Sequence, residues 1–179
     1  LAHGCVVIAR FAIKEPLVMS LHRLKSLFLL VSVFCATTAI AQGPLPYGPS
    51  ISLENAKKAS ATALAEAHKN SWNMAIAIVD PNGTLVYYEK MDNTQLGSAK
   101  VAVDKARSAA LFKRPTKVFQ ERLTSGSSGL PVLALEGAIP VEGGIPLVLD
   151  GHIVGAIGVS GDSSDHDNQC AQAGVDAVK

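Results

Sequence analysis

From residue 52 onward, apolar positions recur with two alternating periods. Ala56, Ala59, Ala63 and Ala67 return at spacings of three and four, a narrow small-residue stripe that predicts a closely packed helix over 53–69, opened by Ser52 as N-cap. Residues 73–79 and 84–89 read as strands, and Asp80-Pro81-Asn82-Gly83 between them is a turn sequence, so the pair predicts a hairpin. A second helix is expected over 97–112, ending before Pro115, because the residue ahead of a proline resists the helical region. Thr116 is placed to cap a short helix through Leu123, and the Ser/Gly run at 124–129 reads as a flexible loop.

Two further strands are expected at 145–149 and 152–160, joined by Asp150-Gly151, a favoured pair for a two-residue turn. Alternation puts Ile153, Gly155, Ile157 and Val159 on one face, and Val154, Ala156, Gly158 and Ser160 on the other. The second face is nearly flat at Ala156 and Gly158, open to a helix or to a planar ligand. A last helix runs to about Val178, with Ser164 and Asp167 as a capping pair and an acidic first turn that suits the helix dipole. Helices and hairpins follow one another without the strand–helix alternation of a parallel sheet. The expected class is α+β, an antiparallel sheet flanked by helices.

Ahead of this pattern stands a different one. Arg23 and Lys25 follow Met19 and precede an apolar run at 27–35, after which Ala39-Ile40-Ala41 has the small-x-small form of a signal-peptidase site. The run is far short of the ~20 apolar residues of a spanning helix, so a cleaved signal peptide is expected rather than a membrane anchor. Residues 1–18 are either upstream sequence or a longer n-region. The expected organisation is 1–41 as upstream segment and signal peptide, cleaved after Ala41, 42–51 as a Pro/Gly-rich linker, and 52–179 as one domain. A periplasmic or secreted location follows, with no stable membrane span after processing.

Composition changes meaning with that division. The 179 residues carry a formal charge of +1 and are 48% hydrophobic. From Gln42 onward, however, twelve Lys and Arg face fourteen Asp and Glu, so the basic bias belongs to the targeting segment. The near-neutral balance and the 5% aromatic content argue against nucleic acid as a partner. Cys170 is the one cysteine after residue 41, which excludes an internal disulfide there, and no C-x-x-C-H exists for covalent c-type haem attachment.

Residues able to do chemistry are few. His68 falls near the end of the first helix, where a cation also satisfies the helix terminus. His166 between Asp165 and Asp167 invites a metal reading, although consecutive helical residues point in different directions. Arg107, Lys113 and Arg114 could hold a ligand carboxylate, which Arg grips with two parallel hydrogen bonds, or be ordinary surface charge. No G-x-S-x-G, H-E-x-x-H, P-loop or G-x-G-x-x-G is present.

Several segments together resemble a known family. Ile78-Val79-Asp80, Gly83-Thr84-Leu85-Val86, Lys90-Met91-Asp92 and Ala102-Val103-Asp104-Lys105-Ala106-Arg107-Ser108-Ala109 are followed by Gly143-Gly144-Ile145-Pro146-Leu147, Asp150-Gly151 and Val154-Gly155-Ala156-Ile157-Gly158-Val159-Ser160-Gly161. In this order they resemble the GlcG/HbpS family, from about Ser52 to the end. The resemblance implies a profilin-like domain that assembles into homo-oligomers, with haem-binding secreted members and a related domain in PduO-type corrinoid adenosyltransferases.

On that footing the expected function is an exported haem- or tetrapyrrole-binding protein for capture or sensing, a binding protein rather than an enzyme. The residues expected at the cofactor are His68, Met91 or Thr116 as axial ligand, Lys105, Arg107 and Arg114 toward the propionates, and Ala156 and Gly158 along the slot. The alternatives are a small-molecule enzyme acting on an organic acid held by Arg107 or Arg114, and a ligand-free oligomerisation module.

Overall fold

A computed structural model describes residues 44–179. The expected signal peptide lies outside them. The elements in chain order are α1 (Leu53–Lys69), β1 (Ala75–Val79), β2 (Leu85–Lys90), α2 (Leu96–Phe112), α3 (Lys117–Thr124), a 3₁₀ helix (Ser127–Ala134), β3 (Gly144–Leu149), β4 (His152–Ser160) and α4 (Ser164–Asp176). All strand pairs are antiparallel, in the order β2-β1-β4-β3. The α+β expectation is met.

Both hairpin turns form as their residues dictate. Asp80 Oδ1 accepts hydrogen bonds from Asn82 N and Thr84 N, each 2.8 Å, and Gly83 takes φ +81°. Asp150 and Gly151 both adopt positive φ, the conformation a tight two-residue hairpin demands. Ser52 caps α1, its hydroxyl accepting from Asn55 N at 3.2 Å.

Helices cover the two faces of the sheet differently. The alanine stripe of α1 (Ala56, Ala59, Ala63, Ala67) packs with Cys170, Ala171 and Val175 of α4 over Ile76, Ile78, Ile157 and Val159. The opposite face carries α2, where Ala102, Ala106, Ala109 and Ala110 meet Ala75, Ala77, Val79 and Ala156. This second interface is close because neither side projects bulk. A Cβ placed on Gly158 would stand 2.0 Å from Ala102 O and 2.5 Å from Ala106 N. The flat strip of β4 therefore seats a helix, and Ala156 and Gly158, read from sequence as bordering a cofactor slot, are fully covered by it.

Three local expectations are corrected by tertiary demands. Val154 was assigned to the Ala156 face, but β3 and β4 slip register between Leu147 and Val148, and Val154 joins the cluster beneath α1. Ser164 and Asp167 do not cap α4. Its N-cap is Ser163, without a side-chain hydrogen bond, and the Asp167 carboxylate turns one oxygen inward to Lys105 while the other accepts from Asp162 N at 3.2 Å. The Ser/Gly run is no free loop either. It leads into the 3₁₀ helix, where a Cβ on Gly129 would lie 1.8 Å from Arg122 O, so close chain crossing accounts for that glycine.

Residues 44–51, read as a linker, complete the sheet. β1 pairs only with residues 156–160 of β4, which leaves the start of β4 with unpaired backbone groups. Ile153 N donates to Pro46 O (2.9 Å), Gly48 N to Ile153 O (2.9 Å) and Ile51 N to Val154 O (2.8 Å). Tyr47 anchors this strap by donating its hydroxyl to Ala110 O (3.0 Å), while Lys113 lies over its ring at 4.0 Å.

Candidate functional site

The end of α1 and the end of β2 converge on one cavity of about 420 Å³, lined by Leu64, His68, Asn73, Glu89, Lys90, Met91, Asp92 and Asn93. Leu64 and His68 are one turn apart on α1 and so share a face. The β2 end arrives because β1 and β2 pair through Ala75 and Lys90, and Met91 N continues the ladder to Met74 O at 3.0 Å. Two of the three residues expected as axial ligands, His68 and Met91, thus meet at one place although 23 positions separate them in sequence.

Their states differ. His68 is exposed at the cavity wall, in the last turn of α1. Met91 is half-buried, and its Sδ accepts a hydrogen bond from Met74 N at 3.3 Å, so its thioether is already engaged. Lys90 brings a cation to the rim, and Glu89 is held by the Tyr87 hydroxyl at 3.0 Å.

The remaining expected residues are elsewhere. Lys105 is buried, with 1% of its side chain exposed, and its ammonium donates to Asp167 Oδ2 (2.6 Å) and Val159 O (3.1 Å). An ammonium spent on an internal carboxylate cannot reach a propionate. Burial pushes the Lys105 amine down and the Asp167 carboxyl up, against their mutual attraction. Thr116 stands at the N-cap of α3 as expected, but its buried hydroxyl accepts from Gly144 N at 3.0 Å instead of capping the helix or facing a ligand.

Arg107 and Arg114 are exposed, but neither approaches His68. Arg107 lies on α2, on the opposite side of the sheet from α1, where it lines a separate cavity and donates from Nε to Gly83 O at 3.1 Å. Arg114 turns back to Phe112 O (2.9 Å) and over the Phe119 ring (5.7 Å). A ligand in the His68 cavity is out of reach of both.

His166, read as a metal ligand, is engaged by its neighbours. Its ring stacks on Trp72, centroids 3.9 Å apart and planes inclined by 13°, with Asp162 Oδ1 3.4 Å from Nδ1. Among the described residues no group of three or more His, Cys, Asp or Glu side chains could hold a metal ion. Cys170 is buried against α1, and burial first, then the Glu66, Asp167 and Asp162 charges, push its thiol up to about 12. Among the described residues no helix is long and apolar enough to cross a membrane.

The chain's likenesses agree with one another. A family model described as haem degrading protein HbpS-like matches residues 51–176. Protein GlcG of Escherichia coli strain K12 is 37% identical over 110 residues, covering 62% of this chain and 81% of that protein. The crystal structure of a double mutant of Streptomyces reticuli HbpS superposes with a TM-score of 0.67 at 30% identity, covering 80% of this chain and 97% of that one. That of a PduOC–haem complex gives 0.66 at 25% identity, covering 73% and 96%.

Proposed function

The chain belongs to the HbpS-like family, and from that premise we propose that it binds haem at the cavity between α1 and the end of β2, with His68 as the axial ligand. The observation that carries the reading is the meeting of His68 and Met91 in that cavity. It is the place among the described residues where two expected iron-binding side chains line one space. A haem-bound relative of the same fold, the PduOC complex, supports the class of ligand.

The donor set fits. Imidazole is a common haem ligand, Leu64 presents an apolar wall, and Lys90 offers charge to a carboxylate. Bound there, haem supplies an intensely coloured, redox-active centre. His68 does the holding because the Met91 sulfur is tied to Met74 N and serves as wall. The signal-peptide layout supports haem capture or sensing outside the cytoplasm. Exposed leucines such as Leu96 and Leu133, 89% and 65% accessible, support homo-oligomeric assembly.

Mass spectrometry of protein purified without denaturation tests the ligand class. Retained haem, or saturable uptake of added hemin, is the expected result. Trp72, the single tryptophan of the chain, directly precedes cavity residue Asn73, so its emission should be quenched in step with uptake. Absence of both retention and saturable uptake would remove the proposal.

A further inference from the structure

A second cavity, of about 310 Å³, lies between the outer face of α2 and the chain following the 3₁₀ helix. Lys100, Asp104, Arg107 and Leu111 line it from one stripe of α2, while Gly137 and Ile139 close the other side. The far wall is fixed in place, since Ile139 N donates to the buried Ser108 hydroxyl at 3.0 Å.

Arg107 is also held in position. Its Nε is committed to Gly83 O, and its stem rests on Gly83, where a Cβ would stand 3.4 Å from Arg107 Cγ. The β1–β2 turn thereby orients the guanidinium and leaves its terminal amino groups without a hydrogen-bond partner among the described residues. Charge at the cavity is uneven. Lys100 and Asp104 pair with each other at 2.5 Å, whereas Arg107 has no ion-pair partner among the described residues. The surplus is one positive charge, beside the side chains of Leu111 and Ile139.

We infer that this cavity is a second ligand site, distinct from the His68 cavity, for a small monocarboxylate with a short apolar body. The carboxylate would take the free edge of the Arg107 guanidinium, a planar fork that matches it. Leu111 and Ile139 would cover the apolar part. A single surplus cation suits a monoanion better than a phosphate dianion, and a volume at the lower end of the ligand-cavity range suits a short chain.

Calorimetric titration of the full chain with butyrate tests the site, with butyramide and inorganic phosphate as comparison probes. Saturable butyrate binding is expected, with butyramide silent and phosphate weaker. Arg107→Gln should weaken butyrate at least tenfold, and Arg107→Lys should weaken it less. Ile139→Trp, which fills the cavity while keeping Arg107, should also abolish binding, so loss does not rest on one variant. Hemin uptake should be unchanged in Arg107→Gln, which separates this site from the haem proposal. No saturable butyrate binding, equal binding by Arg107→Gln or by butyramide, or tighter binding of phosphate would each overturn the inference.

Discussion

Lys105 Nζ lies 2.6 Å from Asp167 Oδ2, and this buried ion pair ties α2 to the first turn of α4 beside the end of β4. Both side chains are at most 3% exposed, so each charge relies on the other and on one backbone group, Val159 O for the ammonium and Asp162 N for the carboxylate. Lys105→Met or Asp167→Leu alone should destabilise the protein by about 3–5 kcal/mol, because a lone charge is left inside. The double replacement Lys105→Met/Asp167→Leu should recover most of that loss. Urea denaturation of the three variants checks it; a double variant as unstable as the sum of the singles would contradict this view of the pair.

Gly158 is occupied territory for any side chain. With a Cβ 2.0 Å from Ala102 O, Gly158→Ala must push α2 off the sheet, and both contacts are backbone that cannot swing aside. A loss of about 3 kcal/mol is expected from such overpacking. Thermal unfolding would show it, and a neutral Gly158→Ala would mean that α2 does not sit as closely as described.

The strap at 44–51 should contribute measurably. Tyr47→Phe removes the hydroxyl that donates to Ala110 O at 3.0 Å and lies 3.1 Å from Leu111 O. About 1 kcal/mol should be lost in denaturant titration. Amide exchange at Ile153, which donates to Pro46 O, should accelerate in the same variant.

Cys170 sets a pH dependence. Its thiol is raised to about 12 in the folded protein, so it stays protonated where an unfolded chain, titrating near ~8.5, already carries thiolate. A raised folded pKa gives stability that is full below the unfolded value and is lost as pH rises through the folded one. Between about 8.5 and 12, the wild type should lose up to ~1.4 kcal/mol per pH unit relative to Cys170→Ala. Thiol reagents at neutral pH should label Cys170 only after unfolding.

Much of the fold was legible because local chemistry decided it. The alanine stripe of α1, the Asp80 and Asp150 turns and the stop before Pro115 are short-range, and each forms as expected. Other features depend on groups distant in the chain. Asp167 looked like a helix cap because its partner, Lys105, is 62 residues away. Gly158 left a helix and a ligand slot both open, because an alanine-rich helix and a planar ligand ask the same of a strand. The candidate site was partly legible. Two ligand-type residues, His68 and Met91, do meet, but helices on opposite faces of the sheet separate them from Arg107.

The central claim, haem at the His68 cavity, is tested most directly by hemin titration of the wild type and His68→Ala, followed in the Soret region. A saturable Soret shift is expected for the wild type, and a diminished or absent one for His68→Ala at matched folding by circular dichroism. A wild type with no saturable shift at micromolar hemin, or a His68→Ala variant that reproduces the wild-type band and affinity, would contradict it.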